Sequence, residues 1–320
     1  MLLKIEDLKV SFHTDEGIVK ALDGVSFEIQ ERRILGLVGE TGCGKSVTAS
    51  AILRLIPSPP GKIEGGSILF KGRNLLQLTE EEIRRVRGGE IAMIFQDPFS
   101  ALNPVYTVGS QIAEAIRLHQ DLKGQAALDK AAEMMAEVGI PEAKRRLGDY
   151  PHQFSGGMRQ RVVIAMALSC HPDLLIADEP TTALDVTIQA QILDLIFRLK
   201  EETRSSILLV SHDLGVISEM CDDVAIMYAG SIVEIAGVES FFENNSHPYS
   251  QGLLGAIPRI KERQETLSVI PGQLPDLVYP PPGCRFQPRC PWAMRRCDEQ
   301  KPGLTEISHG HRVACFKVTG

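Results

Sequence analysis

Hydrophobic and polar residues alternate along two stretches near the beginning of the chain. From Leu3 to Phe12 and from Val19 to Ile29, apolar and polar side chains alternate over most of the length. This is the period of a strand with one buried face, so we predict two antiparallel strands. A third strand is expected from Gly66 to Phe70, where Lys71-Gly72 closes it. Together these segments predict a small antiparallel β-subdomain.

A helical period follows in the middle of the chain. Thr79-Glu80-Glu81-Glu82 has the spacing of a capping box, which predicts a short helix that ends at Gly88-Gly89. From Val108 to about Leu168 the apolar residues, among them Ile112 and Ile116, recur at helical spacing. This region is expected to form an inserted helical block.

Short apolar runs and helical stretches then alternate. The strands are predicted at Ile34 to Val38, Ile91 to Phe95, Leu174 to Ala177, Ser206 to Val210 and Val224 to Tyr228. The helices between the last of these strands are predicted at Val186 to Glu202 and Leu214 to Met220. Strands that alternate with helices indicate an α/β protein with a mostly parallel sheet covered on both faces.

The pattern changes once more after Phe242-Glu243-Asn244-Asn245. Proline and glycine become frequent, as in Pro271-Gly272 and Pro280-Pro281-Pro282-Gly283, and apolar residues become too few for an independent core. We therefore predict a large domain of residues 1–243 and a small, loop-rich domain of residues 244–320. A segment of this kind requires an internal crosslink.

Composition and charge limit where such a chain works. Hydrophobic residues make up 43% and charged residues 23% of the 320 positions, as in ordinary globular proteins. No apolar run approaches the roughly 18 residues that cross a bilayer, and charge interrupts the first residues too early for a signal peptide. A net charge of −7 argues against a nucleic-acid surface. We expect a cytosolic protein that reaches a membrane only through a partner.

The segment from Gly39 to Ser46 reads GETGCGKS, a complete phosphate-binding loop of the form GxxxxGK[ST]. It lies between a predicted strand and a predicted helix, which is the context that this loop requires. Glycines allow backbone N–H groups to surround a phosphate, and the helix N-terminus adds positive charge. Lys45 can reach the β- and γ-phosphates, and the hydroxyl of Ser46 can ligate Mg²⁺.

Two acidic residues follow the apolar strand that ends at Ala177. Asp178 can hold the hydration shell of Mg²⁺, and Glu179 can polarise a water molecule for attack on the γ-phosphate. Without the phosphate-binding loop, the pair would be interpreted equally well as a solvated strand end.

A second potential anion site lies between these motifs. Phe154-Ser155-Gly156-Gly157-Met158 precedes the helical run from Arg159 to Leu168, and places N–H groups and a hydroxyl at a helix N-terminus. One nucleotide does not need two such sites on one subunit. The second site therefore suggests that another subunit uses it.

These motifs and their order along the chain resemble those of the nucleotide-binding subunits of ATP-binding-cassette transporters. The resemblance covers residues 1 to about 240. The resemblance implies a P-loop NTPase core and gives each motif a role. It assigns Gly39 to Ser46 as Walker A, Gln96 as the Q-loop, Ser155 to Met158 as the signature, Asp178 and Glu179 as Walker B and catalytic base, Ala183-Leu184-Asp185 as the D-loop and His212 as the switch histidine. Phe154 and Met158 replace the usual Leu and Gln of the signature.

The resemblance also implies which residues hold the nucleotide and its metal. Glu179, His212 and Gln96 are expected in catalysis, and Ser46, Gln96 and Asp178 around Mg²⁺. The residues expected to bind ATP are Phe12 or His13 at the adenine, Gly39, Glu40, Thr41, Gly42, Cys43, Gly44, Lys45, Ser46 and Val47 at the phosphates, and Ser155, Gly156, Gly157, Met158 and Asp185 from a second cassette subunit.

Other segments resemble the importers of oligopeptides and dipeptides within that family, and here the resemblance covers essentially all 320 residues. The matching segments are Phe95 to Pro104, His247-Pro248-Tyr249, Pro282-Gly283-Cys284, Arg289-Cys290-Pro291 and Val313-Ala314-Cys315. The implied function is ATP-driven peptide import, with nickel import as an alternative. The implied partners are an identical or paralogous ATPase subunit, transmembrane permease subunits and, indirectly, an extracellular substrate-binding protein.

Four of the seven cysteines fall in the last 37 positions, at Cys284, Cys290, Cys297 and Cys315. Disulfides are disfavoured in a reducing cytosol, so the cluster indicates a metal. Four thiolates suit a [4Fe–4S] cluster or tetrahedral Zn²⁺. The wide spacing and the resemblance to importer tails favour the iron–sulfur cluster in a structural role, while zinc and unligated or disulfide-bonded cysteines remain as alternatives. His309 and His311 are expected at the surface or beside the ligands.

Two functions of other classes agree less well with the sequence. A soluble cassette ATPase of DNA repair or translation usually carries two cassettes, a coiled-coil insertion or a basic surface, and the sequence shows none of these. A regulatory module without catalysis is disfavoured because Glu179 and His212 are both present.

Overall fold

A computed structural model describes residues 1–182, 184–256 and 270–319, with the side chain of Phe99 excepted. The described chain divides into two compact units. The first combines Met1–Leu76 with Val210–Gly320, and the second is Gln77–Leu209.

The strands and helices are numbered in chain order. The strands are β1 (Leu3–Thr14), β2 (Gly17–Ile29), β3 (Ile34–Val38), β4 (Gly61–Phe70), β5 (Arg73–Asn74), β6 (Ile91–Ile94), β7 (Leu174–Asp178), β8 (Ser206–Ser211), β9 (Asp223–Tyr228), β10 (Ser231–Gly237), β11 (Thr305–Ser308) and β12 (His311–Val313). The helices are α1 (Lys45–Ile52), α2 (Glu80–Val86), α3 (Pro98–Ala101), α4 (Val108–His119), α5 (Gly124–Glu137), α6 (Ala143–Arg146), α7 (Gly156–Leu168), α8 (Val186–Thr203), α9 (Leu214–Met220), α10 (Val238–Asn244), α11 (Pro248–Gly255), α12 (Arg295–Glu299) and α13 (Phe316–Thr319).

The first unit contains the antiparallel sheet that the alternating pattern predicts. Its strands lie in the order β2-β1-β4-β5, and β1 pairs with β2 and β4. Alternate side chains, among them Leu3, Ile5 and Phe27, face inward and are buried, because successive residues of a strand point to opposite faces. The predicted β-subdomain is confirmed.

Five further strands of the first unit lie in the order β11-β12-β10-β9-β3. Strand β3 runs parallel to β9, whereas β9, β10, β12 and β11 pair in antiparallel fashion. All five residues of β3 are buried, as its uninterrupted apolar sequence requires. Strands β11 and β12 come from the C-terminal segment. This segment therefore forms one edge of the sheet that supports the phosphate-binding loop.

The second unit contains the predicted helical block. Helix α4 packs on α5 and α7. The core between these helices contains the buried residues Ile112, Ile116, Met135 and Val162. Strand β6 pairs in parallel with β7, with Ile91 opposite Leu174. Thr79 caps α2 and forms the predicted capping box with Glu82. These features agree with the mixed α/β architecture expected from the sequence.

Within the described ranges, none of the helices combines the length and the apolar character that crossing a membrane requires.

Candidate active site

The phosphate-binding loop connects β3 to α1 in the first unit. Gly42 and Gly44 have φ angles of 84° and 109°, which side-chain-bearing residues rarely adopt. At Gly39 the limit is space, because a Cβ atom there would lie 2.1 Å from the carbonyl oxygen of Met227 on β9. The loop therefore needs glycine at these three positions for its own backbone path.

Lys45 is the first residue of α1, and only 5% of its surface is exposed. Its Nζ donates hydrogen bonds to the carbonyl oxygens of Gly39, at 2.7 Å, and Glu40, at 3.2 Å. The ammonium group is thereby aimed across the opening of the loop, where it can meet phosphate oxygens. Ser46 follows on the same helix turn.

Cys43 lies within the loop, and its side chain is buried. Burial raises the pKa of its thiol to about 11, although the charge of Lys45 acts in the opposite direction. The thiol therefore stays protonated at neutral pH and packs as a small apolar group rather than serving as a nucleophile.

In the second unit, Asp178 ends β7 and is 4% exposed, and Glu179 follows it. Oε2 of Glu179 accepts hydrogen bonds from Nε2 of Gln96 and from Oγ1 of Thr182, both at 3.0 Å. Two polar side chains thus converge on one carboxylate. Gln96 was expected from the sequence, whereas Thr182 was not.

Glu179 also has a left-handed backbone, with a φ angle of 46°. This conformation is unfavourable for a residue with a Cβ atom and is often associated with functional sites. The chain turns there, and Thr182 bonds back to Glu179 through both its side chain and its backbone N–H.

Ser155 caps α7, the helix that follows the signature residues. Its Oγ accepts a hydrogen bond from the backbone N–H of Met158 at 3.4 Å, and the side chain is exposed. Gln160 on the first turns of α7 is buried and donates to the carbonyl oxygen of Pro180 at 2.7 Å. The helix that carries the signature is therefore connected to the turn that carries Glu179.

The remaining predicted residues occupy loops and strand ends. His212 is exposed after β8, and Asp213 beside it caps α9. Asp185 caps α8 by accepting from the N–H of Ile188 at 3.0 Å. Ala183, the first residue of the predicted D-loop, lies outside the described residues.

Phe12 and His13, the two residues expected at the adenine, are neighbours near the end of β1. Phe12 is half-buried, while His13 is exposed, with its Nε2 3.8 Å from Oε1 of Glu64.

Comparison with known proteins decides the family. The family "ABC transporter" matches residues 22–182, and the family "Oligopeptide/dipeptide transporter, C-terminal region" matches residues 233–297. The chain is 52% identical, over 99% of its length and 95% of the relative, to the probable peptide ABC transporter ATP-binding protein y4tR of Sinorhizobium fredii. The chain belongs to the ABC transporter ATP-binding proteins.

Two further comparisons agree with this assignment. The dipeptide transport ATP-binding protein DppD of Bacillus subtilis is 50% identical over 98% of this chain and 94% of its own. The structure of the ATP-binding cassette MJ0796, a dimer bound to ADP and phosphate, superposes with a TM-score of 0.66 at 26% identity, over 74% of this chain and 98% of that one. As a member of this ABC family, the chain is an ATPase.

The four C-terminal cysteines of this ABC protein lie in one neighbourhood. Burial raises the pKa of the Cys284 thiol to about 11, and the sulfurs of Cys297, Cys290 and Cys315 lie close enough to raise it further. The backbone N–H of Phe286 donates to the Cys284 sulfur. Nevertheless, across residues 1–182, 184–256 and 270–319, no group of three or more His, Cys, Asp or Glu side chains is placed so that it could hold a metal ion.

The histidines near Cys315 differ from the expectation in one respect. His311 is buried rather than at the surface, and its Nε2 lies 2.7 Å from Oε1 of the buried Glu234 on β10. Glu234 also accepts from the backbone N–H groups of Ser246 and His247. This network attaches β12 to the sheet, so His311 has a structural partner of its own.

Two residues in contact with the phosphate-binding loop were missed by sequence reasoning. Arg289 and Tyr249 both bond to Glu40, although they follow it by more than 200 positions. Both belong to the segments that resemble importer tails, but the resemblance gave them no role at the nucleotide. Only the folded chain brings them to the loop.

Proposed function

We propose that this protein is the ATP-hydrolysing subunit of a membrane importer of dipeptides or oligopeptides. The observation that carries the proposal is a complete phosphate-binding loop in a chain whose residues 233–297 match the oligopeptide/dipeptide transporter C-terminal region. Relatives with about half of their residues in common carry peptide transport in their names. Nickel import, the alternative from the sequence, has no such support.

The loop from Gly39 to Ser46 would hold the triphosphate. Lys45 would bind the β- and γ-phosphate oxygens, and the backbone N–H groups at the start of α1 would add partial positive charge. Phe12 or His13 would contact the adenine. The buried, preoriented ammonium of Lys45 supports this assignment.

Magnesium would be held by the hydroxyl of Ser46, by Gln96 and by Asp178. Mg²⁺ prefers a few protein oxygens together with water and phosphate oxygens, so a dense cluster of carboxylates is not required. Asp178 is buried at the end of a strand, where a carboxylate keeps a fixed orientation. When bound, the ion neutralises charge that develops on the phosphates.

Glu179 would orient and polarise the attacking water, and His212 would contact the γ-phosphate. Hydrogen bonds from Gln96 and Thr182 to the carboxylate of Glu179 support its role, because they fix the direction in which it can accept a proton. Through the bond to Glu179, Gln96 would also sense the state of the nucleotide.

A second cassette subunit would complete each site. Ser155, Gly156, Gly157 and Met158 at the start of α7, with Asp185 nearby, would bind the nucleotide held by the loop of the partner. The exposure of Ser155 at a helix N-terminus supports this arrangement. Closure of the dimer on ATP would drive transport, and hydrolysis would reset it.

Attachment to the membrane would come from partners. The permease would dock on the helical block near Gln96, and an extracellular binding protein would deliver the peptide to that permease. The protein would then lie peripherally on the cytoplasmic face. We keep the division into an ATPase domain of residues 1–243 and an extension of residues 244–320 as part of the proposal.

Although the four thiols are not placed as a metal site in the described residues, we keep as part of the proposal a [4Fe–4S] cluster on Cys284, Cys290, Cys297 and Cys315, with Zn²⁺ as the alternative. Backbone N–H groups directed at the sulfurs support this, because such bonds stabilise thiolate ligands: Phe286 donates to Cys284, and Trp292 to Cys290. The group would crosslink the loop-rich tail and take no part in hydrolysis.

Replacing the catalytic base tests the proposed function. Glu179→Gln should lower ATP hydrolysis at least about a hundredfold, because general-base catalysis contributes on that order, while ATP binding is retained. It should also trap a dimer with ATP and Mg²⁺ that size exclusion detects. Hydrolysis near the wild-type rate would remove Glu179 from this role.

A further inference from the structure

The C-terminal extension contacts the phosphate-binding loop directly. Nη1 of Arg289 lies 3.1 Å and 2.9 Å from the two carboxylate oxygens of Glu40, the second residue of the loop. The backbone N–H of Glu40 donates to the hydroxyl of Tyr249 at 3.0 Å. Both the side chain and the backbone of this loop residue are thus held by residues that lie beyond the cassette.

Arg289 is itself held firmly, with 6% of its side chain exposed. Nε donates to the carbonyl oxygen of Pro271 at 2.8 Å, and Nη2 to that of Ile270 at 3.3 Å. The guanidinium group also lies 5.7 Å from the ring centre of Tyr228 on β9. An arginine fixed on three sides presents its charge in one direction, towards Glu40.

The contact with Arg289 neutralises the negative charge of the Glu40 carboxylate. The carbonyl oxygen of Glu40 accepts from Nζ of Lys45 at 3.2 Å, so the residue lies next to the group that is to bind the phosphates. An unpaired carboxylate there would repel a triphosphate, and partial burial leaves such repulsion only partly screened by solvent. The side chain of Glu40 is 29% exposed, and Arg289 supplies the opposite charge.

We propose that Arg289 is a positioning residue for nucleotide binding, which neutralises Glu40 and fixes the loop in the conformation that accepts phosphates. The affinity for ATP is then set jointly by the cassette and its C-terminal extension. This inference depends on the assignment of Gly39 to Ser46 as the triphosphate site.

A double-mutant cycle in the full-length protein separates charge neutralisation from general damage. Affinity for the imido analogue of ATP is measured by calorimetry in wild type, Arg289→Met, Glu40→Gln and the double variant. Arg289→Met should weaken binding by about tenfold, within the usual range of coupling between sites. In the double variant most of this affinity should return, because the unpaired carboxylate is gone.

The variant Arg285→Met is the matched control. Arg285 is a buried arginine of the same extension, which bonds the carbonyl oxygens of Ala229 and Lys20 and lies 3.4 Å from Asp23 without contacting Glu40. It should change the thermal midpoint but leave the affinity within about twofold of wild type, since the coupling concerns only groups in contact. Equal weakening by Arg285→Met would attribute the effect to tail docking and overturn the proposal.

Salt and a second variant give independent readouts. The effect of Arg289→Met should shrink at high ionic strength, because the repulsion is electrostatic. Arg289→Lys keeps the charge without the planar fork, so its nucleotide affinity should lie between those of wild type and Arg289→Met. This variant also replaces Arg289→Met in the experiment if Arg289→Met does not fold.

Two results would overturn the inference. One is wild-type affinity in both Arg289 variants, and the other is a double variant that binds no better than Arg289→Met. If Lys45→Ala also leaves the affinity unchanged, the triphosphate site itself is misassigned. If Lys45→Ala weakens binding while the Arg289 variants bind normally, only the role of Arg289 is lost.

Discussion

The ammonium group of Lys45 is held in place by backbone carbonyl groups of the phosphate-binding loop. Its ammonium bonds to the carbonyl oxygens of Gly39 and Glu40, which curve around it because glycines occupy the strained positions of the loop. Burial leaves these carbonyls and the incoming phosphates as its principal partners. The charge is therefore oriented for the nucleotide rather than for solvent.

Lys45→Ala should weaken nucleotide binding about 10- to 100-fold. The reason is the loss of charge-assisted hydrogen bonds, which contribute about 1.5–3 kcal/mol each. Calorimetric titration with the imido analogue of ATP measures the effect. The control is Lys4→Ala, which removes a surface lysine paired with Glu6 on β1. Unchanged affinity in Lys45→Ala would refute its role.

The residues near the nucleotide were unequally visible in the sequence. Lys45 and Glu179 could be predicted because their chemistry requires a fixed local order of residue types. Arg289 could not be predicted, because its contact with Glu40 joins residues 249 positions apart and no local spacing in the sequence indicates it. Thr182 lies three residues from Glu179, and there the missing signal was the left-handed turn that brings the two side chains together.

Elements were predicted best where a cap or a breaker marks the end. Helix α9 has the predicted bounds, Leu214–Met220, and the capping residue Asp213 precedes it. Strand β4 was predicted from Gly66, yet it begins at Gly61. The additional residues pair with β1, and Gly65-Gly66 interrupts the alternation that would have revealed them. Pairing between distant strands thus extends an element beyond its local pattern.

Helix α7 is the element whose proposed role depends on a second subunit. Its N-terminus presents Ser155, which would bind a nucleotide held by the partner. Ser155→Ala should therefore leave nucleotide binding to the monomer unchanged and lower hydrolysis in the dimer, because its ligand lies across the interface. Calorimetry on the monomer and phosphate release from the dimer measure the two effects.

Mixing two inactive variants tests that arrangement. In the proposed arrangement, a dimer of one Glu179→Gln chain and one Ser155→Ala chain has both defects in the same composite site, and the other site is intact. We expect the mixture to hydrolyse ATP faster than either variant alone, provided that one intact site supports turnover. Activity that never exceeds that of the single variants would contradict the arrangement in trans.

On the scale of the whole molecule, the C-terminal extension is part of the first unit rather than an appendage. Strand β12 pairs with β10, the buried His311 bonds to Glu234, and Lys301 bonds to Asp23. The sequence indicated a poor core in this segment, and the structure shows the compensation. The extension uses the core of the cassette, a contact that no pattern within residues 244–320 could reveal.

The four cysteines provide the last test at this scale. If they hold a [4Fe–4S] cluster, anaerobically purified protein should be brown, with about four iron atoms and four acid-labile sulfides per chain, as the formula requires. Cys297→Ser should bleach the colour, because Cys297 is the most buried of the four and its carbonyl oxygen accepts from the N–H of Cys284. Cys221→Ser, a change outside residues 270–319, should leave the colour intact.

The same variant also connects the cysteines to the nucleotide. Without its crosslink, the segment of residues 270–319 should become sensitive to trypsin, because it has too small a core of its own. Since Arg289 lies in that segment, nucleotide affinity should fall, but by no more than in Arg289→Met. If the protein is colourless and contains one zinc per chain, the bound group is Zn²⁺ rather than the cluster, and its role as a crosslink stands. Metal-free protein whose tail resists trypsin would eliminate both, and would leave the contacts of Arg289, His311 and Lys301 to hold the extension in place.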